Sequence, residues 1–485
     1  LILKIDYKLQ QPPSPPAARA LQPPLRPARL TGRIAALAWP ILIGQLAVIG
    51  NSVIDTMMTS RYSATDLAAL ALGGSIYVSV FFGLNGILQA LTPIIGHLFG
   101  ARDYKAIGME LKQGLWLALF LACIGAVLLS YPQPLLGLAQ AAPAMTAKAT
   151  QYLRALAFAL PAGLGFVIYS ALNNALARPK MVMALQVAAL LLKIPLNALF
   201  IYGAMGVPAF GGPGCAIATA LISWLMLGAA LLILRLNPFY AIFDLFGSGF
   251  VAPHWRALSA ILKLGVPMGL SYFIEVTSFA LMALFIARFG DAALSGHQIT
   301  ANFGAILYML PISIASATGT LVAQALGARD PLQARAMGMA GIRLAMCLSS
   351  IIGATIWLAR DVIAHAYTPN PAIIAAALPL FMFISFYQLF DATQTVTAFV
   401  LRAYRVAVIP TVMNAVALWG VGLGGGYLLG IDPLGLGLPA ATHGAAGFWI
   451  SNSASLVVLA AGLTWYLRKV QRDFRLQPMP LEKSA

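Results

Sequence analysis

Four charged side chains, Asp55, Lys193, Glu275 and Asp391, interrupt long apolar runs of this 485-residue chain, and three of them are acids. Most have polar company at helical spacing. Asn51 precedes Asp55 by four residues, Tyr387 precedes Asp391 by four, Gln394 follows Asp391 by three, and Asn197 follows Lys193 by four. That spacing stacks side chains on one helix face. Glu275 stands within "SYFIEVTSFALMALF", about midway between Lys263 and Arg288. A carboxylate among oxygen donors can coordinate sodium, and a desolvated carboxyl can carry a proton near neutral pH. The blander reading is that the acids only join interhelical hydrogen bonds, and the residues by themselves do not separate sodium from proton.

The elements that must position these groups follow from composition. Only 9% of residues are charged and 60% are hydrophobic, with a mean hydropathy of +0.85, whereas a soluble domain carries about 25% charge. A spanning helix needs roughly 20 mainly apolar residues. Marking apolar runs between charges and Pro/Gly breaks predicts twelve helices, at 34–58, 67–99, 107–130, 149–176, 181–203, 212–235, 257–287, 293–326, 336–359, 373–401, 406–430 and 444–467. The fold class is an all-α membrane protein. A charge at the bilayer centre costs at least roughly 2.5–3.5 kcal/mol, so the four deep charges must face a wet cavity or one another.

Basic residues set the orientation, because cytoplasmic loops are enriched in Lys and Arg. The 30 basic residues divide as 24 on the side of the termini, five on the opposite side (Arg61, Lys148, Arg154, Arg288 and Arg360) and one, Lys193, within a span. Both termini are therefore expected in the cytoplasm, with Arg402 and Arg405 on a cytoplasmic loop. Residues 1–33, rich in Pro and Arg, read as a disordered basic tail without the apolar core of a signal peptide. The net charge of +16 sits in loops and tails, not in a basic stripe with interleaved aromatics, which argues against nucleic acid.

A constant offset of 227 maps Pro40 onto Pro267, Arg61 onto Arg288, "GARD" at 100–103 onto "GARD" at 327–330, and Gly203 onto Gly430. Two homologous six-helix lobes follow, at 34–236 and 257–467, joined by a cytoplasmic linker at 237–256 and closed by a tail at 468–485. Both "GARD" copies fall on cytoplasmic loops, so the halves are parallel repeats around a central cavity, the design of alternating-access transporters.

Lys193, in "LLKIPLNALF", is the anomaly. It lies 13 residues beyond Lys180 and 10 before Gly203, roughly 15 Å or more from either interface at 1.5 Å per residue, which is far for snorkelling. It could be neutral and structural, or paired with Asp55, the other deep charge of its half. Pairing is the favoured reading, and it makes the two a proton-sensitive latch between their helices. Pro195 frees the carbonyl of Leu191 nearby.

Other motifs carry less. Cys123, Cys215 and Cys347 have no paired spacing and read as small core residues. His97, His254, His297, His365 and His443 are scattered without metal-ligand spacing, and no enzyme is indicated; His297, in "GHQITANF", is the exception worth following. "GLGGGYLLG" near Gly424 reads as close helix packing.

The stretches "VIDTMMTS", "KIPLNALFIYG", "FIEVTSFALMALF", "GHQITANF" and "FYQLFDATQTVTAFVLRAY" together resemble the multidrug and toxic compound extrusion (MATE) family, nearest its NorM-type bacterial branch, from Ile34 to about Leu467. The resemblance implies a V-shaped pair of six-helix lobes and export of cationic, amphiphilic compounds in exchange for inward-moving sodium or protons. It implies a monomer in the bacterial inner membrane with no cofactor beyond the coupling ion. It assigns Asp55, with Asn51, Lys193 and Asn197, to an amino-lobe site for proton coupling and substrate. Glu275, Tyr387 and Asp391 become a carboxy-lobe cation site able to hold sodium, and Pro40 the hinge of a bending helix. Where relatives often show Asn-Ile-Pro-Leu-Asn, this chain has Lys193, so an ammonium replaces an amide in the amino-lobe site. A lipid or lipid-linked oligosaccharide flippase of the same superfamily is the alternative; it would need several cationic groups in its cavity for a diphosphate. A passive channel is disfavoured by the absence of a charged ring.

Overall fold

A computed structural model describes residues 27–138, 142–204, 206–247, 249, 251–433, 435, 439 and 443–476. Twelve helices among them are long and apolar enough to cross a membrane: α1 (Arg29–Tyr62), α2 (Ala64–Ala101), α3 (Tyr104–Ser130), α4 (Pro143–Ala175), α5 (Pro179–Tyr202), α6 (Gly212–Leu236), α7 (Trp255–Phe289), α8 (Asp291–Gly327), α9 (Pro331–Tyr367), α10 (Pro371–Ala403), α11 (Val408–Ile431) and α12 (Ala445–Phe474). Each predicted run has its helix, and several helices continue past the apolar stretch that announced them. Residues 27–33 of the expected basic tail are helical and lead into α1, whose full helix is Pro27–Tyr62, and the full helix of α12, Ala445–Leu476, runs through most of the basic cluster. The rest of both predicted tails lies outside the described residues.

The repeated "GARD" is a helix corner. Arg102 and Arg329 hold the left-handed conformation, at φ 64° and 58°. The next residue caps the following helix: Asp103 accepts from the Ala106 N–H at 3.1 Å and Asp330 from the Gln333 N–H at 2.9 Å. An aspartate there satisfies a backbone donor that the helix itself cannot.

The same ends tie the lobes together. A Cβ on Gly100 of α2 would overlap the carbonyl oxygen of Gln324 in α8, and a Cβ on Gly327 would overlap that of His97 in α2. The offset of 227 relates these two contacts, so the repeat builds one crossing from two copies of the same approach. Side chains bridge it as well: His97 Nε2 lies 2.7 Å from the Ala403 carbonyl oxygen, and the Gln324 amide donates to the Ala175 carbonyl at 2.7 Å. Helix starts are exchanged, with Ile34 and Ala38 of α1 buried in the carboxy-lobe core and Ile261, Leu264 and Met268 of α7 buried in the amino-lobe core.

The expected linker at 237–256 is more than a tether. Pro238–Phe243 forms a 3-10 helix whose Tyr240 and Phe243 are buried in the amino lobe. Tyr240 donates to Asn173 Oδ1 at 2.6 Å, the Arg178 guanidinium lies over the Phe239 ring, and Gln113 and Trp116 of α3 donate to the carbonyls of Ala252 and Val251. Aromatic residues in the linker gave it a face to bury. Of the cysteines expected in the core, only Cys215 is buried; Cys123 and Cys347 are exposed, because an apolar run is as apolar on its outward face as on its inner one. The glycine-rich stretch does pack closely: a Cβ on Gly426 would fall within 3 Å of the Phe448 ring of α12.

Candidate functional sites in the two lobes

In the amino lobe the geometry is set by Pro195. Proline offers no N–H to the preceding turn, and α5 passes from regular α-helix, ending at Asn197, into a π-helical stretch at Ala198–Tyr202. Lys193 and Asn197 sit one turn apart, both turned inward. Lys193 Nζ lies 3.0 Å from Asp55 Oδ1 of α1, with the lysine 2% and the aspartate 14% exposed. The ammonium also donates to the Cys215 carbonyl at 3.3 Å and to the Thr219 hydroxyl of α6. Asn197 Nδ2 donates to the same Asp55 oxygen at 2.7 Å. The snorkelling reading of Lys193 therefore gives way to a contact with Asp55 inside the lobe. Its ammonium has oxygen partners on two neighbouring helices, the surroundings of a bound cation.

Asn51 is not brought to Asp55. Its amide donates to Ala47 of its own helix at 3.0 Å, and its Oδ1 is buried with no partner. Pro40 lies within α1, which stays helical through it, beside Gln45, Asn174, Pro179 and Gln186 around a small cavity.

In the carboxy lobe Asp391 is 2% exposed and accepts from the Gln394 amide at 3.1 Å. Tyr387, one turn earlier, is buried with its ring edge toward Trp449 of α12, at 6.2 Å between centroids. Glu275 of α7 lines a cavity of about 30 Å³ with Tyr272, Tyr308, Gln394, Thr395 and Arg402, and it interacts electrostatically with Asp391 and Arg402. Asp391 is not among the residues lining that cavity; it lies within electrostatic range of Glu275, and its neighbour Gln394 reaches the lining. His297 is buried edge-on to Trp449, at 5.8 Å, with Nδ1 unpartnered. Among the described residues, no group of three His, Cys, Asp or Glu is placed to hold a metal ion.

Four groups carry no mark in the sequence that by itself predicts their surroundings. Thr219 and the Cys215 carbonyl come from α6, whose one charge, Arg235, lies far away on its last turn. Asp66, at the start of α2, is 1% exposed, pairs with Lys148 and accepts the Gly212 N–H at 2.9 Å. Arg402 was expected on a cytoplasmic loop, yet its side chain is 9% exposed and faces the Glu275 cavity. Helical side chains lean toward the N-terminus, so an arginine on the last turn of α10 reaches back into the lobe. The signal was present, since Arg402 follows Asp391 by 11 residues, three helical turns on the same face.

The comparisons agree with this architecture. The MatE family model matches residues 40–199 and 267–428, one segment in each lobe. The chain is 41% identical over 459 residues to the probable multidrug resistance protein NorM of Aromatoleum aromaticum, covering 95% of this chain and 98% of that one. It is 35% identical over 451 residues to the multidrug resistance protein MdtK of Photorhabdus laumondii, covering 89% and 94%. Among solved structures, the Vibrio cholerae MATE transporter VcmN in its bent form superposes with a TM-score of 0.83 at 17% identity, over 93% of this chain and 99% of that one. With both halves matched and relatives similar over nearly their whole length, the chain belongs to the MatE family, the multidrug and toxic compound extrusion transporters that its motifs resemble.

Proposed function

We propose that this protein is a secondary multidrug efflux antiporter that exports cationic, amphiphilic compounds in exchange for inward-moving protons or sodium ions. The observation that carries the reading is the placement of partly buried carboxylates at contacts between neighbouring helices in both lobes. Asp55 is bridged to α5 by Lys193 and Asn197, and Glu275 shares a pocket with residues of α8, α10 and α11.

The lobes do different work in this reading. In the amino lobe Lys193 already fills the place of a cation on Asp55, so a proton is the ion that site can exchange. Protonation removes the charge that holds the ammonium, and the Asn197 contact to Asp55 and the Tyr202–Met58 hydrogen bond then remain between α1 and α5. In the carboxy lobe, Glu275 and Asp391 have room for a sodium ion or a proton. The relatives' names, multidrug resistance protein NorM and MdtK, support the cargo class. A diphosphate-handling flippase is disfavoured because Lys193 sits against a carboxylate and Arg402 shares its cavity with one, so neither forms an anion patch. The protein is taken to act as a monomer in the inner membrane with both termini cytoplasmic.

The test is efflux of ethidium from proteoliposomes under an imposed proton gradient, a sodium gradient, or neither. Acceleration by one of the gradients is expected. Equal rates under all three conditions exclude antiport.

A further inference from the structure

Arg402 is the one deep cation without an assigned task. Its guanidinium lies over the rings of Phe399, at 4.6 Å, and Tyr272, at 5.4 Å. Those rings hold it in place without neutralising it. Nη1 is buried with no hydrogen-bond partner, and the residue lines the same cavity as Glu275. No ion pair within 4.0 Å joins the two. A buried donor without a partner is costly, and a buried charge needs compensation nearby. The charged groups lining this pocket are Glu275 on α7 and Arg402 on α10, and Asp391 of α10 lies behind the lining within electrostatic range of Glu275; α8 contributes Tyr308, α11 contributes Thr411 and Asn414, and α12 contributes Leu463.

We infer that Arg402 is the resident counter-charge of the carboxy-lobe site: it offsets one of the two carboxylates, Glu275 and Asp391, and so limits that lobe to a single exchangeable monovalent cation or proton. The amino lobe obeys the same arithmetic with a different result. One acid, Asp55, meets one base, Lys193, and no net charge is left there. Two acids and one base leave a single negative charge in the carboxy lobe. Arg402 is a positioning residue in this scheme, acting on the ion through the charge of the pocket and not as its ligand.

This inference rests on the antiport reading and adds a number to it. The experiment compares wild type with Arg402→Gln and Arg402→Lys in proteoliposomes, finding the membrane potential at which ethidium flux reverses under fixed dye and ion gradients. The reversal potential gives ions exchanged per dye. The Gln variant should exchange one more monovalent cation than wild type, and the Lys variant the same number. If the Gln variant no longer transports, potentiometric titration of folded protein in sodium-free detergent solution decides: it should hold one more proton than wild type at pH 7. Equal ion or proton counts for wild type and Arg402→Gln overturn the role of Arg402, and so does a Lys variant that behaves like Gln. A wild type whose dye flux responds to neither ion gradient overturns the antiport reading instead, whatever the variants do.

Discussion

Lys193 Nζ of α5 and Asp55 Oδ1 of α1 lie 3.0 Å apart inside the amino lobe, and Asn197 donates to the same oxygen from one turn further along α5. This three-residue contact joins the helix that carries Pro40 to the helix that unwinds after Pro195, so any change in charge at Asp55 acts on both helices.

Replacing Lys193 by Ala removes the positive neighbour that favours a charged Asp55. The pH profile of ethidium efflux should move toward alkaline pH. Efflux measured from pH 5.5 to 8.5 checks this. An unchanged profile for both Lys193→Ala and Asp55→Asn rules out the latch.

Asn197→Ala should act in the same direction and more weakly. It removes one hydrogen bond to a buried carboxylate, about 1.5–3 kcal/mol when the acceptor is charged, but leaves the ammonium in place. The expected outcome is a transporter with slower efflux and a smaller pH displacement than Lys193→Ala. An effect larger than that of the lysine variant would mean that the amide, and not the ammonium, holds Asp55.

Gly100 and Gly327 face backbone across the lobe boundary with no room for a side chain. Gly100→Val and Gly327→Val should each prevent these helix ends from closing on one another and reduce efflux at least about tenfold, a barrier change of roughly 1.4 kcal/mol. Cysteine pairs spanning α2 and α8 should then crosslink poorly at that end. Because the repeat relates the two contacts, the two variants should behave alike, and a large difference between them would contradict the reciprocal closure.

Asp66 provides a contrast, since it is buried and ion-paired away from the Asp55 contact and the Glu275 cavity. Asp66→Asn weakens acceptance from Lys148 and the Gly212 N–H, at a cost of about 1–3 kcal/mol. A lower unfolding midpoint with an unaltered pH profile of transport is expected. A shifted pH profile would place Asp66 in the coupling path.

The lobes, their parallel repeat and the deep acids were legible in the sequence because each has a one-dimensional trace: run length, a constant offset, and charges where charges are expensive. Lys193 and Asp55 could be paired by elimination, as the only deep charges of their half. What stayed hidden depends on direction across space. Nothing in the sequence of α6 marks Thr219 as an ammonium partner, and a carbonyl such as that of Cys215 leaves no mark at all. Arg402 was misplaced because charge counting assigns a residue by its Cα, whereas a long side chain on the last helical turn points back into the lobe. Asn51 shows the converse. Its four-residue spacing from Asp55 was right, yet its amide found a nearer acceptor in Ala47.

The account stands most directly on whether cargo binding displaces a proton from Asp55. Purified protein in weakly buffered detergent solution, mixed with ethidium at pH 7 and followed with a pH indicator, gives the protons released per dye bound. The account predicts release by wild type, loss of the amino-lobe part of it in Asp55→Asn, and an altered pH dependence of release in Lys193→Ala. Equal release by wild type and Asp55→Asn, with dye binding intact in both, would contradict it.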